Sequence, residues 1–257
     1  MNAPTLFLTG AAGGFGAATA RLFAERGYYV GLYDVNEDAL RQLAGELGEA
    51  RCTYGVLDVT DPRACRAALE IFAGRTGGRL DVVLNNAGIT AVGNFEEIPI
   101  DRSLAVVDVN LKGCLNVAHA AFPYLRATPG ALLINLASAS SLHGNPELVA
   151  YSLTKRALLS LTESLDIAWA EHDIRSKTLN PIYANTAMVR DTQHLHRNLT
   201  DKQVELTAED VARALYKLKD SGKVHHYLGG QTKLFSRIVG VLPFALRRRL
   251  MIDAIGY

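Results

Sequence analysis

Short β-branched or aliphatic runs alternate with longer stretches of helical period six times without interruption, and no other feature restricts the fold of this chain as tightly. The runs at 5–9, 29–33, 52–57, 82–84, 131–136 and 174–179 read as strands, and 17–26, 37–47, 62–75, 111–125 and 151–172 read as helices. Thr207 then has the character of an N-cap for a helix reaching about Asp220, followed by a seventh strand at 224–228. Such alternation implies right-handed crossovers and a parallel sheet covered by helices on both faces. The expected architecture is α/β, a Rossmann-type doubly wound sheet of about seven strands in a single domain over residues 1–257. Ligands of such sheets bind beyond the carboxyl ends of the strands.

The composition fits one globular α/β domain: 49% of the 257 residues are hydrophobic and 21% charged, with a formal net charge of +1. That balance gives no reason to expect a nucleic-acid partner. The charge is unevenly placed, because Lys223, Lys233, Arg237, Arg247, Arg248 and Arg249 face only Asp253 in the last 37 residues. Cys52, Cys65 and Cys114 have no CxxC spacing and read as reduced packing residues. A first strand beginning near Thr5 leaves no room for a signal peptide, and no long apolar run is present, so a soluble cytoplasmic protein is expected.

The first strand runs into Thr9-Gly10-Ala-Ala-Gly13-Gly14-Phe15-Gly16, and a helical pattern follows. A glycine-rich turn here lets backbone N–H groups and a helix N-terminus approach a pyrophosphate, where any Cβ would obstruct. Gly10, Gly14, Phe15 and Gly16 are therefore candidate cofactor-binding positions. Asp34 ends the second strand, where its carboxylate can accept hydrogen bonds from the adenosine ribose hydroxyls and repel a 2′-phosphate. Neither Gly13 nor Val35 supplies a compensating cation, so NAD is expected over NADP.

Tyr151 and Lys155 lie four residues apart on a predicted helix, with Ser138 thirteen residues upstream of the tyrosine. A phenol near its ordinary pKa of ~10 is a poor base at neutral pH, and an ammonium one turn away would lower it. Tyr151 is thus a candidate general acid–base and Lys155 the cation that tunes it.

Thr9-Gly-x-x-x-Gly14-x-Gly16, Asn85-Asn86-Ala87-Gly88, Asn110, Ser138, Tyr151-x-x-x-Lys155 and Asn180-Pro181 together resemble the short-chain dehydrogenase/reductases, in order and spacing from residue 5 to about 186. Gly10, Gly13 and Gly16 also satisfy the glycine pattern of the larger epimerase-like branch, but the chain length favours the compact single-domain branch. The resemblance implies a catalytic tetrad of Asn110, Ser138, Tyr151 and Lys155. Ser138 would orient the reacting oxygen, Lys155 would also hold the nicotinamide ribose, and Asn110 would fix a water. It implies adenine contacts at Asp58 and Val59, ribose contacts at Asn86 and Ala87, and further cofactor contacts at Ala184 and Thr186. Asn85 would brace the sheet. Ser140, His143, Asn145 and Tyr183 would border substrate, and 186–206 would form a lid. Ile182 departs from the pattern, standing where the family usually has glycine. A homodimer or homotetramer built on the helices 111–125 and 151–172 is also implied.

The expected activity is NAD(H)-dependent interconversion of a secondary alcohol and a ketone on an apolar steroid, aromatic or acyl substrate. Two alternatives stand beside it, a 3-oxoacyl reductase of lipid metabolism and a dinucleotide-sensing protein without turnover. No metal is expected, since His194, His196, His225 and His226 lack a third ligand at suitable spacing. The tail 232–257 combines an apolar face with Arg247-Arg248-Arg249, suited either to a substrate entrance or to weak contact with an anionic membrane surface.

Overall fold

The computed structural model describes residues 3–182, 195, 206–239 and 242–255. Seven strands form one all-parallel sheet in the order β3-β2-β1-β4-β5-β6-β7: β1 Thr5–Thr9, β2 Tyr29–Asp34, β3 Cys52–Val56, β4 Val82–Asn85, β5 Leu132–Leu136, β6 Arg175–Pro181 and β7 His225–Leu228. The order reverses between β1 and β4, which opens a crevice above their carboxyl ends.

Strand periodicity divides the core. Leu6 and Leu8 pack with Phe23, Leu40 and Leu215 on one face, whereas Phe7 packs with Leu69, Phe72 and Val117 on the other. The first face is covered by α1 Gly14–Glu25, α2 Glu37–Leu47 and α7 Ala208–Leu218. The second is covered by α3 Pro62–Thr76 and α5 Gly113–Arg126. Alongside α5 lie α4 Ile100–Val107 and α6 Val149–Ala168. A π-helical turn, Asp108–Lys112, separates α4 from α5.

Helix starts follow their side chains. Asn36 Oδ1 accepts from the Ala39 N–H at 3.1 Å and Asp61 Oδ1 from Arg63 at 2.7 Å, with Pro62 opening α3. Thr207 and Asp210 form the reciprocal capping box expected of that segment. The charged tail is two helices, α8 Gly230–Ile238 and α9 Phe244–Ile255. Of its apolar residues Val239 is buried, whereas Leu234, Ile238 and Phe244 are exposed. Among the described residues no helix is long and apolar enough to cross a membrane.

Candidate active site

The glycine loop is held in place from three sides. Gly10 has a positive φ of 66°, and a Cβ there would come within 2.7 Å of Ala87 Cα. On Gly16 a Cβ would run into the Gly10 carbonyl. Asn86 Nδ2 donates to the Thr9 carbonyl at 3.0 Å and to that of Gly10 at 2.8 Å, and Asp34 Oδ2 accepts from the Ala12 N–H at 3.0 Å. Asn86 and Asp34 are therefore braces of the loop as well as candidate ribose contacts. Unlike α2 and α3, helix α1 has Gly13 as N-cap, with no side-chain acceptor and no acid in its first turn. Its first N–H groups and positive dipole end are left for an anion. These residues fit a dinucleotide: a cradle open only because no Cβ fills it, an uncapped helix start, and a carboxylate with lone pairs to spare at the end of β2.

Further along the crevice, Asp58 Oδ1 closes its own turn by accepting from the Thr60 N–H and Oγ1, both at 2.8 Å. Val59 is buried, and its carbonyl accepts from Asn116 Nδ2 at 2.9 Å. Asn85 braces the sheet as expected, its Nδ2 donating 2.8 Å to Asn135 Oδ1 across the β4–β5 register.

The tetrad positions converge at the carboxyl edge. Ser138 follows β5 and caps a short 3-10 turn, Ala139–Ser141, accepting from the Ser140 N–H at 3.2 Å. The Ser138 side chain also faces the Tyr151 phenol and favours its ionised form. Lys155 Nζ donates 2.8 Å to the Leu136 carbonyl and sits 5.4 Å from the Tyr151 ring centroid. A Cβ on Gly88 would lie 3.6 Å from Lys155 Nζ and 3.2 Å from Asn110 Oδ1, so all three groups meet at one point. The π-helical turn presents Asn110 there, a distortion found often at functional sites. Its Oδ1 accepts from the Ile89 N–H at 2.8 Å and its Nδ2 donates to the Ile89 carbonyl at 2.9 Å and to Thr154 Oγ1 at 3.4 Å. Asn110 thereby clamps the loop that leads out of Asn-Asn-Ala-Gly.

The electrostatics differ from the sequence expectation. Burial pushes the Tyr151 phenol above its ordinary value, opposed by the Ser138 hydroxyl, while burial holds the Lys155 ammonium down at about 8. The ammonium lies over the ring and bonds a backbone carbonyl. Burial thus favours the protonated phenol, a direction opposite to the lowering that an ammonium one turn away would produce.

Of the predicted substrate contacts, Ser140 and His143 lie in the loop after Ser138, where burial keeps the His143 imidazole below its ordinary pKa. Asn145 is buried and shapes that loop, its Oδ1 accepting from the Glu147 N–H at 3.0 Å. Tyr183, Ala184, Thr186 and the predicted lid fall outside the described residues. Ile182 abuts the end of β7, where a Cβ on Gly229 would meet its Cγ2 at 3.1 Å. His225 is not a merely solvated strand end: it bridges Thr178 Oγ1 at 2.9 Å and Glu163 Oε1 at 2.7 Å. No metal-competent cluster occurs among the described residues. Sequence reasoning missed Arg156, whose Nη1 donates 2.8 Å to the Ser141 carbonyl, and Thr154, which supports Asn110.

Comparison with known proteins agrees with this geometry. A family model described as short chain dehydrogenase matches residues 4–196. The oxidoreductase UcpA of Escherichia coli strain K12 is 33% identical over 218 residues, 84% of this chain and 81% of that protein. A mitochondrial borneol dehydrogenase of Lavandula x intermedia is 32% identical over 240 residues, 91% of this chain and 90% of that protein. The crystal structure of a 3-ketoacyl-(acyl-carrier-protein) reductase from Brucella melitensis, complexed with NADH, superposes with a TM-score of 0.81 at 26% identity, covering 89% of this chain and 98% of that one.

Proposed function

The chain belongs to the short-chain dehydrogenase family of oxidoreductases, and on that premise we propose that it interconverts a secondary alcohol and a ketone on an apolar substrate with NAD(H). The observation that carries this reading is the meeting of Ser138, Tyr151 and Lys155 beside the glycine loop at the carboxyl edge of β5. Ser138 positions the substrate oxygen by hydrogen bonding, and Tyr151 gives its proton to that oxygen in reduction or takes it in oxidation. Lys155 keeps donor protons beyond the one spent on Leu136, enough to hold a sugar hydroxyl. A bound nicotinamide would supply or accept the hydride.

Asp34 supports NAD over NADP, since no side chain at Gly13 or Val35 could neutralise a 2′-phosphate. Similarity to a protein named for borneol, an apolar secondary alcohol, supports the substrate class. The 3-oxoacyl reductase alternative draws on the basic tail and on similarity to the Brucella melitensis reductase. A panel of apolar secondary alcohols and 3-oxoacyl thioesters, followed by nicotinamide absorbance with each cofactor, separates the readings. Turnover confined to thioesters selects the alternative, and dinucleotide binding without any turnover selects a sensing role.

The same reading includes a homo-oligomer. Leu158 of the predicted α6 stripe is in the core, but Ala157, Leu161, Leu165 and Trp169 are only half-buried, and Leu115 on α5 is exposed. Sedimentation at micromolar concentration should give a dimer or tetramer, and a stable 27.8 kDa species would refute it.

A further inference from the structure

Helix α6 has two flanks. Tyr151 and Lys155 leave it on one side, whereas Val149, Leu153 and Arg156 project from the other at 100° per residue, with Ser152 between. On that second flank, α9 and the segment 141–149, with the predicted substrate contacts His143 and Asn145, line a cavity of about 870 Å³ whose walls do not include Ser138, Tyr151 or Lys155. This volume lies within the roughly 300–1,000 Å³ typical of single small-molecule sites.

Its walls are strongly polarised. Leu142, Val149, Leu153, Phe244 and Ile252 make an apolar body, while Arg156, Arg247 and Arg248 supply three guanidinium groups, and among the described residues no carboxylate lines it. None of the three arginines has a carboxylate within ion-pair distance among the described residues. Arg156 donates to the Ser141 and Leu142 carbonyls, at 2.8 and 3.4 Å. Arg247 lies over the Phe244 ring at 5.9 Å, and its Nε is buried with no hydrogen-bond partner. A buried guanidinium N–H without an acceptor is costly, and such orphans are few in native folds. That nitrogen is closed to solvent, but the Nη groups of the same guanidinium can take a carboxylate in two parallel bonds.

We propose that this cavity is a second binding site, separate from the reacting centre, for an apolar molecule of fatty-acid size that carries one carboxylate. The carboxylate sits on Arg247 with Arg156 and Arg248 beside it, and the apolar body lies along Leu142, Leu153 and Phe244. The inference does not depend on the proposed reaction.

The full chain is titrated calorimetrically with laurate below its micelle concentration, with dodecanol as the neutral control and with anionic phospholipid vesicles. Laurate should bind one to one and more tightly than dodecanol. Arg247→Met should weaken laurate roughly tenfold or more while leaving dodecanol unchanged. Leu153→Trp replaces a side chain that is 57% exposed at the cavity wall, so it should abolish laurate binding with the thermal transition preserved. This variant carries the test should Arg247→Met fail to fold. Equal affinity for laurate and dodecanol, laurate binding unmoved by Leu153→Trp, or binding to vesicles without binding to free laurate would each overturn the proposal.

Discussion

At the carboxyl edge of the sheet, Lys155 is buried between α6 and β5 and, among the described residues, donates one hydrogen bond, 2.8 Å to the Leu136 carbonyl. At the amino edge, Lys177 on β6 is equally buried, but it donates to the Leu218 carbonyl at 2.6 Å and to that of Ser221 at 2.5 Å, where α7 ends. Burial lowers the pKa of both ammonium groups. Burial and a perturbed pKa therefore do not by themselves mark a functional lysine. What separates the two is where the donors go. Lys177 satisfies the orphan carbonyls of a helix C-terminus and complements its dipole, whereas Lys155 faces Gly88, Asn110 and the phenol ring with protons still to give. At one edge the buried ammonium completes a helix end, and at the other it is left facing the proposed site.

The largest expected effect breaks the comparison at its functional end. Tyr151→Phe should lower kcat by about 10²–10⁴-fold, the usual contribution of a positioned acid–base group, with dinucleotide binding nearly intact. A variant that keeps more than roughly a tenth of wild-type kcat would remove Tyr151 from the chemistry.

The two lysines can then be exchanged for methionine one at a time. Lys155→Met should abolish turnover and weaken dinucleotide binding, whereas Lys177→Met should leave kcat near wild type and lower stability by about 1–3 kcal/mol through the two abandoned carbonyls. A denaturant midpoint that falls at constant m would show this. The pH dependence sharpens the contrast. The folded Lys155 ammonium titrates at about 8, against roughly 10.4 unfolded, so between those values the unfolded chain binds the extra proton. Stability from this site is therefore lowest at neutral pH and rises as pH climbs from about 8 to 10.4. The stability of wild type relative to Lys155→Met should improve by roughly 2–3 kcal/mol between pH 7 and 10. A flat difference would show that burial does not set the Lys155 pKa.

The same division governs what could be read from sequence. Strands were legible to within two residues because β-branched runs announce themselves, and α2 was legible in full because Asn36 and Gly48 bound it. Helix α4 was not, being a single short stretch with Pro99 as N-cap and no side-chain cap. The π-helical turn that aims Asn110 leaves no mark in residue type. The tetrad was legible as spacing, but its electrostatics were not, because the i,i+4 relation says which residues are neighbours and nothing about how much water they lose. The contacts that fix the site join residues far apart in sequence: Asp34 to Ala12 over 22 positions, Arg156 to Ser141 over 15 and Lys177 to Leu218 over 41. Local periodicity carries no trace of these.

A smaller effect tests the adenosine end of the functional edge. Asp34→Ala should narrow the preference for NAD over NADP by about tenfold in kcat/KM, mostly through KM, because repulsion is removed far from the reacting atoms. The Asp34 carboxylate also accepts from Ala12, so the affinity for both cofactors should fall a little as the glycine loop loosens. A wild-type enzyme with higher kcat/KM on NADP would overturn the cofactor assignment.

The smallest effect is a displacement along the pH axis. Tyr151 must lose its proton before it can accept one from an alcohol, and burial holds that proton on, so kcat/KM for oxidation should climb with pH above neutrality. Reduction needs the protonated phenol and should stay flat over the same range. The Ser138 hydroxyl favours the phenolate and opposes the effect of burial. Ser138→Ala removes it, so the rising limb of oxidation should move to higher pH, beyond whatever rate is lost from poorer orientation of substrate. A limb that stays in place while the rate falls at every pH would confine Ser138 to positioning the substrate oxygen. A shift toward lower pH would mean that the serine hydroxyl stabilises the neutral phenol, reversing its part in the site.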